Sequence, residues 1–303
     1  MSGSLAASCA VLLTNMPETV KTRIQLDGEV TKDGVTIPKQ YKSLSDAYIK
    51  ILKIDGIRGL QAGLGSAIGV QLVMNGLRLG LFGPIQSLIK NATNCNQNNF
   101  ILKVVSGAIS GAIGVTVSSP LYLAKNRLQS QSRYFQAAER YTYKNTFDCL
   151  SQVYRQEGFF GLFRGVSGAL PRVIFGSATQ LSIYDTIKSV AIDKFHCADG
   201  IQAHFVASFI SSLFTVTVMN PFDVISTRMY QSSGQQTVYN NVIDCFRKTI
   251  QGEGLSALQK GWLALYIRLG PHTVLTFIFL EKIRYHFLTI DAFSTDVYTS
   301  DGF

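Results

Sequence analysis

This chain says nearly the same thing three times, and three copies of a unit too small to bury its own core must pack against one another. NMPETVKTRIQ, ending at Gln25, is echoed by PLYLAKNRLQ from Pro120 and PFDVISTRMYQ from Pro221. A second phrase follows at a constant offset: DGIRGLQAG from Asp55, EGFFGLFRG from Glu157 and EGLSALQKG from Glu253. A third lies between them: YKSLSDA from Tyr41, YKNTFDC from Tyr143 and YNNVIDC from Tyr239. The predicted units are 1–98, 99–200 and 201–303, arranged about a common axis.

Composition says what solvent that axis stands in. Charged residues are 16% of the 303, against roughly a quarter in soluble proteins, and apolar residues reach 47%. A mean hydropathy of only +0.18 then requires polar groups hidden inside a membrane protein. The net charge of +9 suits an anionic partner. Nucleic acid is excluded as that partner, because Lys and Arg are spread over three loops and form no stripe. Neither a secretory signal peptide nor a low-complexity tail is evident. Five cysteines, odd in number and without a CxxC pair, imply packing residues and no metal or disulfide framework.

Each repeat carries two apolar segments, giving an all-α protein with six transmembrane helices near 3–25, 67–88, 100–129, 166–189, 204–231 and 262–287. A span needs about 20 residues. The first is marginal, since the chain begins sixteen residues before Pro17, and reads as a shortened N-terminus. Two spans per repeat return the chain to its starting side, so successive repeats are parallel about a pseudo-threefold axis along the membrane normal. In the loop 143–157, Phe147, Leu150 and Val153 recur every three residues, which predicts a short amphipathic helix at the interface. Of 28 Lys and Arg, 8 lie in 21–61, 7 in 125–164 and 4 in 226–260. The positive-inside tendency places these long loops on the negative side of the membrane and both termini opposite. Gly107-x-x-x-Gly111 and Ala207-x-x-x-Ser211 permit close helix approach, or reflect only loose packing of small residues.

The proline at the end of each odd helix kinks it, so three such helices can converge and close one end. The charges beside it are incomplete. The first copy has Glu18 and Lys21 with its proline shifted to Pro17. The second has Lys125 but Tyr122 at the acidic position, and the third has Asp223 but Ser226 at the basic position. If each acid pairs with the base of the next repeat, Glu18–Lys125 and Asp223–Lys21 survive, and both losses fall in one pair. The opposite sense orphans Glu18 and Lys21, which is costly in a low-dielectric site. Tyr122 and Ser226 are then expected to share a hydrogen bond.

Ionisable residues in mid-span usually mark a pathway. Arg172 lies seven residues after Gly165, and Arg268 seven after Gly261, which predicts one membrane depth for both. The matching position in the first repeat is Val70, beside Gln71; from Gln71, Asn75 and Arg78 continue along one helical face. Two guanidiniums at one depth in a wet cavity make a site for a small dianion, each fork holding one carboxylate. The competing readings are arginines paired with carbonyls or snorkelling. His272, one turn from Arg268 and next to Pro271, either joins the site or caps a kink.

P-x-[DE]-x-x-[KR] three times in register with the [DE]G phrases resembles the mitochondrial carrier family, over essentially the whole chain. The resemblance implies an inner-membrane, multi-pass carrier without a cofactor, its long loops in the matrix and its fold monomeric. It implies a matrix gate of Glu18, Lys21, Lys125, Asp223, Tyr122 and Ser226. The family's second motif, [FY]-[DE]-x-x-[KR], matches Tyr184, Asp185 and Lys188, and partly Glu281 and Arg284. Phe82, Gly83 and Gln86 lack both charges, which implies a weak cytoplasmic gate. The family's contact positions fall on Arg172 with Val173, on Arg268, and on Val70 with Gln71. Its cardiolipin sites fall on Gly63, on Arg164 with Gly165, and on Lys260 with Gly261, the first weakest because it has Ala62. Helix-terminal amides suit such phosphates. VMNPFDV at 218–224 lacks the arginine- and methionine-rich stretch of the nucleotide carriers.

QLVMNGLRLG, SPLYLAKNRLQS, GLFRG, VMNPFDVISTR and IRLGPHT resemble the branch that handles oxaloacetate, sulfate, malonate and isopropylmalate. The expected function is therefore alternating-access transport of small dianions, by exchange or with proton symport. The alternatives are an uncoupling-type proton or anion leak and a carrier for another dicarboxylate. An enzyme is not expected: no nucleophile–base pair, metal set or phosphate loop is present, and His196, His204, His272 and His286 are scattered.

Overall fold

The computed structural model describes residues 2–29, 38–93, 100–132, 143–176, 201–232 and 238–272, with the single positions 179, 183, 187, 275, 276, 279 and 280. Among these residues every regular element is helical. In chain order they are α1 (Ser2–Leu26), α2 (Leu44–Leu60), α3 (Leu64–Thr93), α4 (Phe100–Ser130) and α5 (Thr146–Gly161). There follow α6 (Val166–Gly176), α7 (Ile201–Gln231), α8 (Val242–Glu253), a 3-10 turn Leu255–Gln259 and α9 (262–272). The segments expected at 166–189 and 262–287 are thus described only in their first parts.

α1, α3, α4 and α7 run past the expected limits of their apolar segments, the flanking residues continuing the backbone hydrogen-bond ladder. At about 1.5 Å per residue, the 25 residues of α1 reach roughly 37 Å, its bounds close to the expected 3–25. Leu64–Thr93 and Ile101–Ser130 are long and apolar enough to cross a membrane. Pro17, Pro120 and Pro221 lie inside α1, α4 and α7.

The short helices show why the YKSLSDA-type phrase repeats. Ser43, Asn145 and Asn241 cap α2, α5 and α8, accepting from the amides of Asp46, Asp148 and Asp244 at 3.2, 2.9 and 2.8 Å. Each aspartate accepts in turn from the residue before the cap, Lys42, Lys144 or Asn240, at 2.9–3.0 Å. This reciprocal box satisfies orphan donors at a helix start. The accepted amide holds all three carboxyls below their usual range.

The cores sit where a short helix meets a long one. Leu123, Leu128, Tyr143, Cys149, Val153 and Tyr230 cluster in one; Ile225, Met229, Tyr239 and Cys245 in another; Val20, Ala47 and Ile51 in the third. Cys149 and Cys245 are fully buried packing residues, and burial pushes both thiols up to about 12.

Candidate functional site

The ends of α1, α4 and α7 bring together residues from all three repeats. Lys21 Nζ lies 2.6 Å from Asp223 Oδ2, and Lys125 Nζ lies 2.5 Å from Glu18 Oε1. Both pairs run from the acid of one repeat to the base of the next. Gln25 Nε2 also donates to Asp223 Oδ2, at 2.8 Å. All four charged side chains are buried. Removing one partner of a buried pair typically costs ~3–5 kcal/mol, because the other charge is stranded.

The arginines join these pairs. Arg172 Nη1 is 3.3 Å from Asp223 Oδ1, and Arg268 Nη2 is 3.3 Å from Glu18 Oε1. Neither guanidinium stands free: each arginine shares the acid that a lysine already holds. Each still carries a buried Nε without a hydrogen-bond partner. Position by position, Asp223 holds Lys21 and Arg172, and Glu18 holds Lys125 and Arg268.

The equivalent third place is neutral throughout: Tyr122 stands for the acid, Ser226 for the lysine and Val70 for the arginine. The hydrogen bond expected between Tyr122 and Ser226 does not form. Ser226 Oγ donates to the Asp223 carbonyl at 3.1 Å, and Tyr122 donates to Met74 Sδ at 3.0 Å. Ser226 is drawn back to its own helix by the carbonyl three residues earlier. Tyr122 instead accepts from Arg172 Nη2 at 3.3 Å, and both Arg172 and Lys125 lie 5.5 Å from its ring centre. A ring face attracts cations, so it replaces part of the lost charge.

Of the other predicted contact residues, Asn75 Nδ2 donates to Gln71 Oε1 at 2.7 Å. Val70 and Val173 are buried, while half-buried Arg78 has no hydrogen-bond or ion-pair partner among the described residues. Among the described residues the His272 ring meets two side chains: its Nδ1 is 3.2 Å from Thr14 Oγ1 and its Nε2 is 3.4 Å from Gln71 Nε2. Tyr184, Asp185, Lys188, Glu281 and Arg284 lie outside the described residues.

The glycines expected to bind lipid sit at helix junctions. Gly63, Gly165 and Gly261 have φ of 67°, 93° and 75°, a region that disfavours a side chain. A Cβ on Gly165 would stand 2.6 Å from the Tyr230 ring. The cations expected beside the lipid also have protein partners. Arg164 Nη1 is 3.3 Å from Glu157 Oε2, and Lys260 contacts Glu253 and the Asp27 carbonyl.

Three residues escaped the sequence reading altogether. Arg23, Arg127 and Arg228 are fully buried. Each binds the acid of its own repeat's [DE]G phrase: Asp55 at 2.5 Å, Glu157 at 2.9 Å and Glu253 at 2.6 Å. Each also donates through Nε to a carbonyl ending the next odd helix: Gln129, Tyr230 and Gln25, at 3.0, 3.2 and 3.4 Å. The available signal was plain, since arginine is the one charge common to all three proline phrases.

A family model described as "Mitochondrial carrier protein" matches residues 1–93, 96–195 and 198–291. The "Mitochondrial oxaloacetate transport protein" of Saccharomyces cerevisiae is 40% identical over 287 residues, covering 93% of this chain and 87% of the relative. That of Schizosaccharomyces pombe is 39% identical, covering 95% and 90%. The "Mitochondrial citrate transporter E" of Aspergillus niger is 38% identical, covering 93% and 91%.

Proposed function

Because the chain belongs to the mitochondrial carrier family, transporters of the mitochondrial inner membrane, we propose that it carries small dicarboxylates, oxaloacetate first, with sulfate, malonate and isopropylmalate as related dianions. One observation carries this reading: Arg172 and Arg268 each lean on the acid of the next repeat at 3.3 Å and keep a buried Nε donor unused.

A carboxylate entering between them meets two donors per fork and competes with Asp223 and Glu18. As the substrate takes each arginine, the acids lose a partner and the ion pairs Lys21–Asp223 and Lys125–Glu18 weaken. Binding free energy is thereby spent on opening a gate, as alternating access requires. Gln71, Asn75, Arg78, Val70 and Val173 form the remaining wall. Glu18, Lys21, Lys125 and Asp223 act as the matrix gate, with Tyr122 and Ser226 at its neutral corner.

This reading places six spans in three parallel two-helix repeats about a pseudo-threefold axis, long loops in the matrix, in a monomer. The cyclic contacts of Arg23, Arg127 and Arg228 support it. Cardiolipin is assigned to the amides at Gly63, Gly165 and Gly261; Arg164 and Lys260 reach it only by leaving Glu157 and Glu253. Nucleic acid has no place in this scheme.

A second reading rests on Arg78. A third guanidinium, unpaired among the described residues, suits a third carboxylate, and one relative is named a citrate transporter. The test is uptake of labelled oxaloacetate, sulfate and citrate into liposomes carrying the protein, with malonate or buffer inside. Malonate-dependent uptake of oxaloacetate supports the first reading. Preference for citrate, lost in Arg78→Ala, supports the second. Flux indifferent to every internal anion and to a pH gradient would make the protein a leak and defeat both.

A further inference from the structure

His272 stands at the centre of a hydrogen-bonded chain whose polarity can be worked out from its ends. Thr14 Oγ1 donates its only proton to the Ala10 carbonyl at 3.0 Å. Towards His272 Nδ1, 3.2 Å away, that oxygen can therefore only accept. The imidazole proton is thus on Nδ1, and in the neutral ring Nε2 is a bare acceptor. Gln71 Nε2 donates to it at 3.4 Å, and Gln71 Oε1 accepts from Asn75 at 2.7 Å. One chain links α9, α1 and α3, and every group in it has one role.

Adding a proton to Nε2 reverses one half of that chain. Nε2–H then opposes the Gln71 amide NH2, so the amide must turn and offer its oxygen. Asn75 must turn as well, and the NH2 it gave to Gln71 becomes free for another acceptor. Protonation therefore adds a positive charge one turn from Arg268 and releases an amide donor, both of which favour an anion. The charged groups with the strongest influence on His272 are Arg268 on its own helix, Glu18 on α1 and Lys125 on α4. The groups that α3 bonds to this chain, Gln71 and Asn75, are neutral.

We propose that His272 is the proton-binding residue of this site, and that the Thr14–His272–Gln71–Asn75 chain couples the passage of each anion to one proton. The inference rests on the reading of Arg172 and Arg268 as an anion site. His272 acts on the anion through Gln71 and Asn75 and through its charge.

The test uses the full chain in liposomes with the membrane potential clamped and labelled malonate outside. A gradient of one pH unit, acid outside, is equivalent to about a tenfold concentration ratio for one coupled proton. The wild type is expected to accumulate malonate about tenfold, the ratio for one proton. His272→Gln and His272→Asn are expected to bring it no higher than the outside concentration. A His272 variant that still accumulates malonate, or a wild type that only equilibrates it, overturns the proposal. No malonate entry in the wild type under any gradient, with malonate or buffer inside, would overturn the anion-site reading itself. Should both His272 variants fail to fold, Thr14→Val removes the acceptor that orients the ring. It is expected to move the pH of half-maximal uptake to the acid side, and an unmoved midpoint overturns the proposal.

Discussion

Arg268 Nη2 lies 3.3 Å from Glu18 Oε1, the same oxygen that Lys125 approaches at 2.5 Å. One carboxylate oxygen therefore serves both the arginine proposed to hold the substrate and the lysine proposed to hold the gate. Arg172 and Lys21 share the Asp223 carboxylate differently, one on each oxygen. Coupling between substrate and gate needs no intervening chain of residues in this arrangement.

The first prediction concerns the unequal standing of the partners. Asp223→Asn strands both Lys21 and Arg172, whereas Lys21→Gln leaves Asp223 with Arg172 and Gln25. Asp223→Asn should destabilise by ~3–5 kcal/mol, Lys21→Gln by less, and the double variant by less than their sum. Thermal melting of the purified protein measures all three, and additive losses would count against a shared site.

Filling the neutral corner should lock the gate. Tyr122→Asp with Ser226→Lys restores an acid and a base where Tyr122 and Ser226 now stand. The double variant should melt higher than either single variant and exchange substrate more slowly than the wild type. Equal melting and unchanged exchange would mean that the two positions do not meet.

Gly165 should tolerate no side chain. Its φ of 93° and the 2.6 Å approach to Tyr230 predict that Gly165→Ala costs about 1–3 kcal/mol. Gly80, where an added Cβ meets nothing within 4 Å, is the control and should be near neutral. A comparison of melting temperatures decides it, and equal values would contradict the close packing of α6 on α7.

The three capping aspartates predict an acid-sensitive step. Their folded pKa values lie below the unfolded value of about 3.9, so their stabilisation is present above that pH and fades as pH falls through the folded values. Replacing Asp148 by Asn should lower the melting temperature at neutral pH and flatten its fall in acid. Parallel curves for variant and wild type would contradict the capping role.

Much of this was legible because triplication supplies its own alignment. The offset from Gly165 to Arg172 and from Gly261 to Arg268 set the two arginines at matching positions, and the sense of the Glu18–Lys125 and Asp223–Lys21 pairs followed from which charges survive. Less accessible was that the arginines would also reach those acids, since spacing gives depth along a helix but not the distance across to a neighbour. Arg23, Arg127 and Arg228 were overlooked for the opposite reason. A charge next to a loop is ordinarily solvated, and only the packing of α2, α5 and α8 buries it. Thr14 carried no signal at all, because its meeting with His272 joins residues 258 apart in the chain.

The most direct measurement is malonate-driven exchange of labelled oxaloacetate in liposomes for wild type, Arg172→Ala and Arg268→Ala, each first shown to be folded. A charge-assisted hydrogen bond contributes about 1.5–3 kcal/mol, so each variant should lose roughly tenfold to a hundredfold in rate. Exchange at the wild-type rate in either variant would contradict the claim that these arginines hold the substrate.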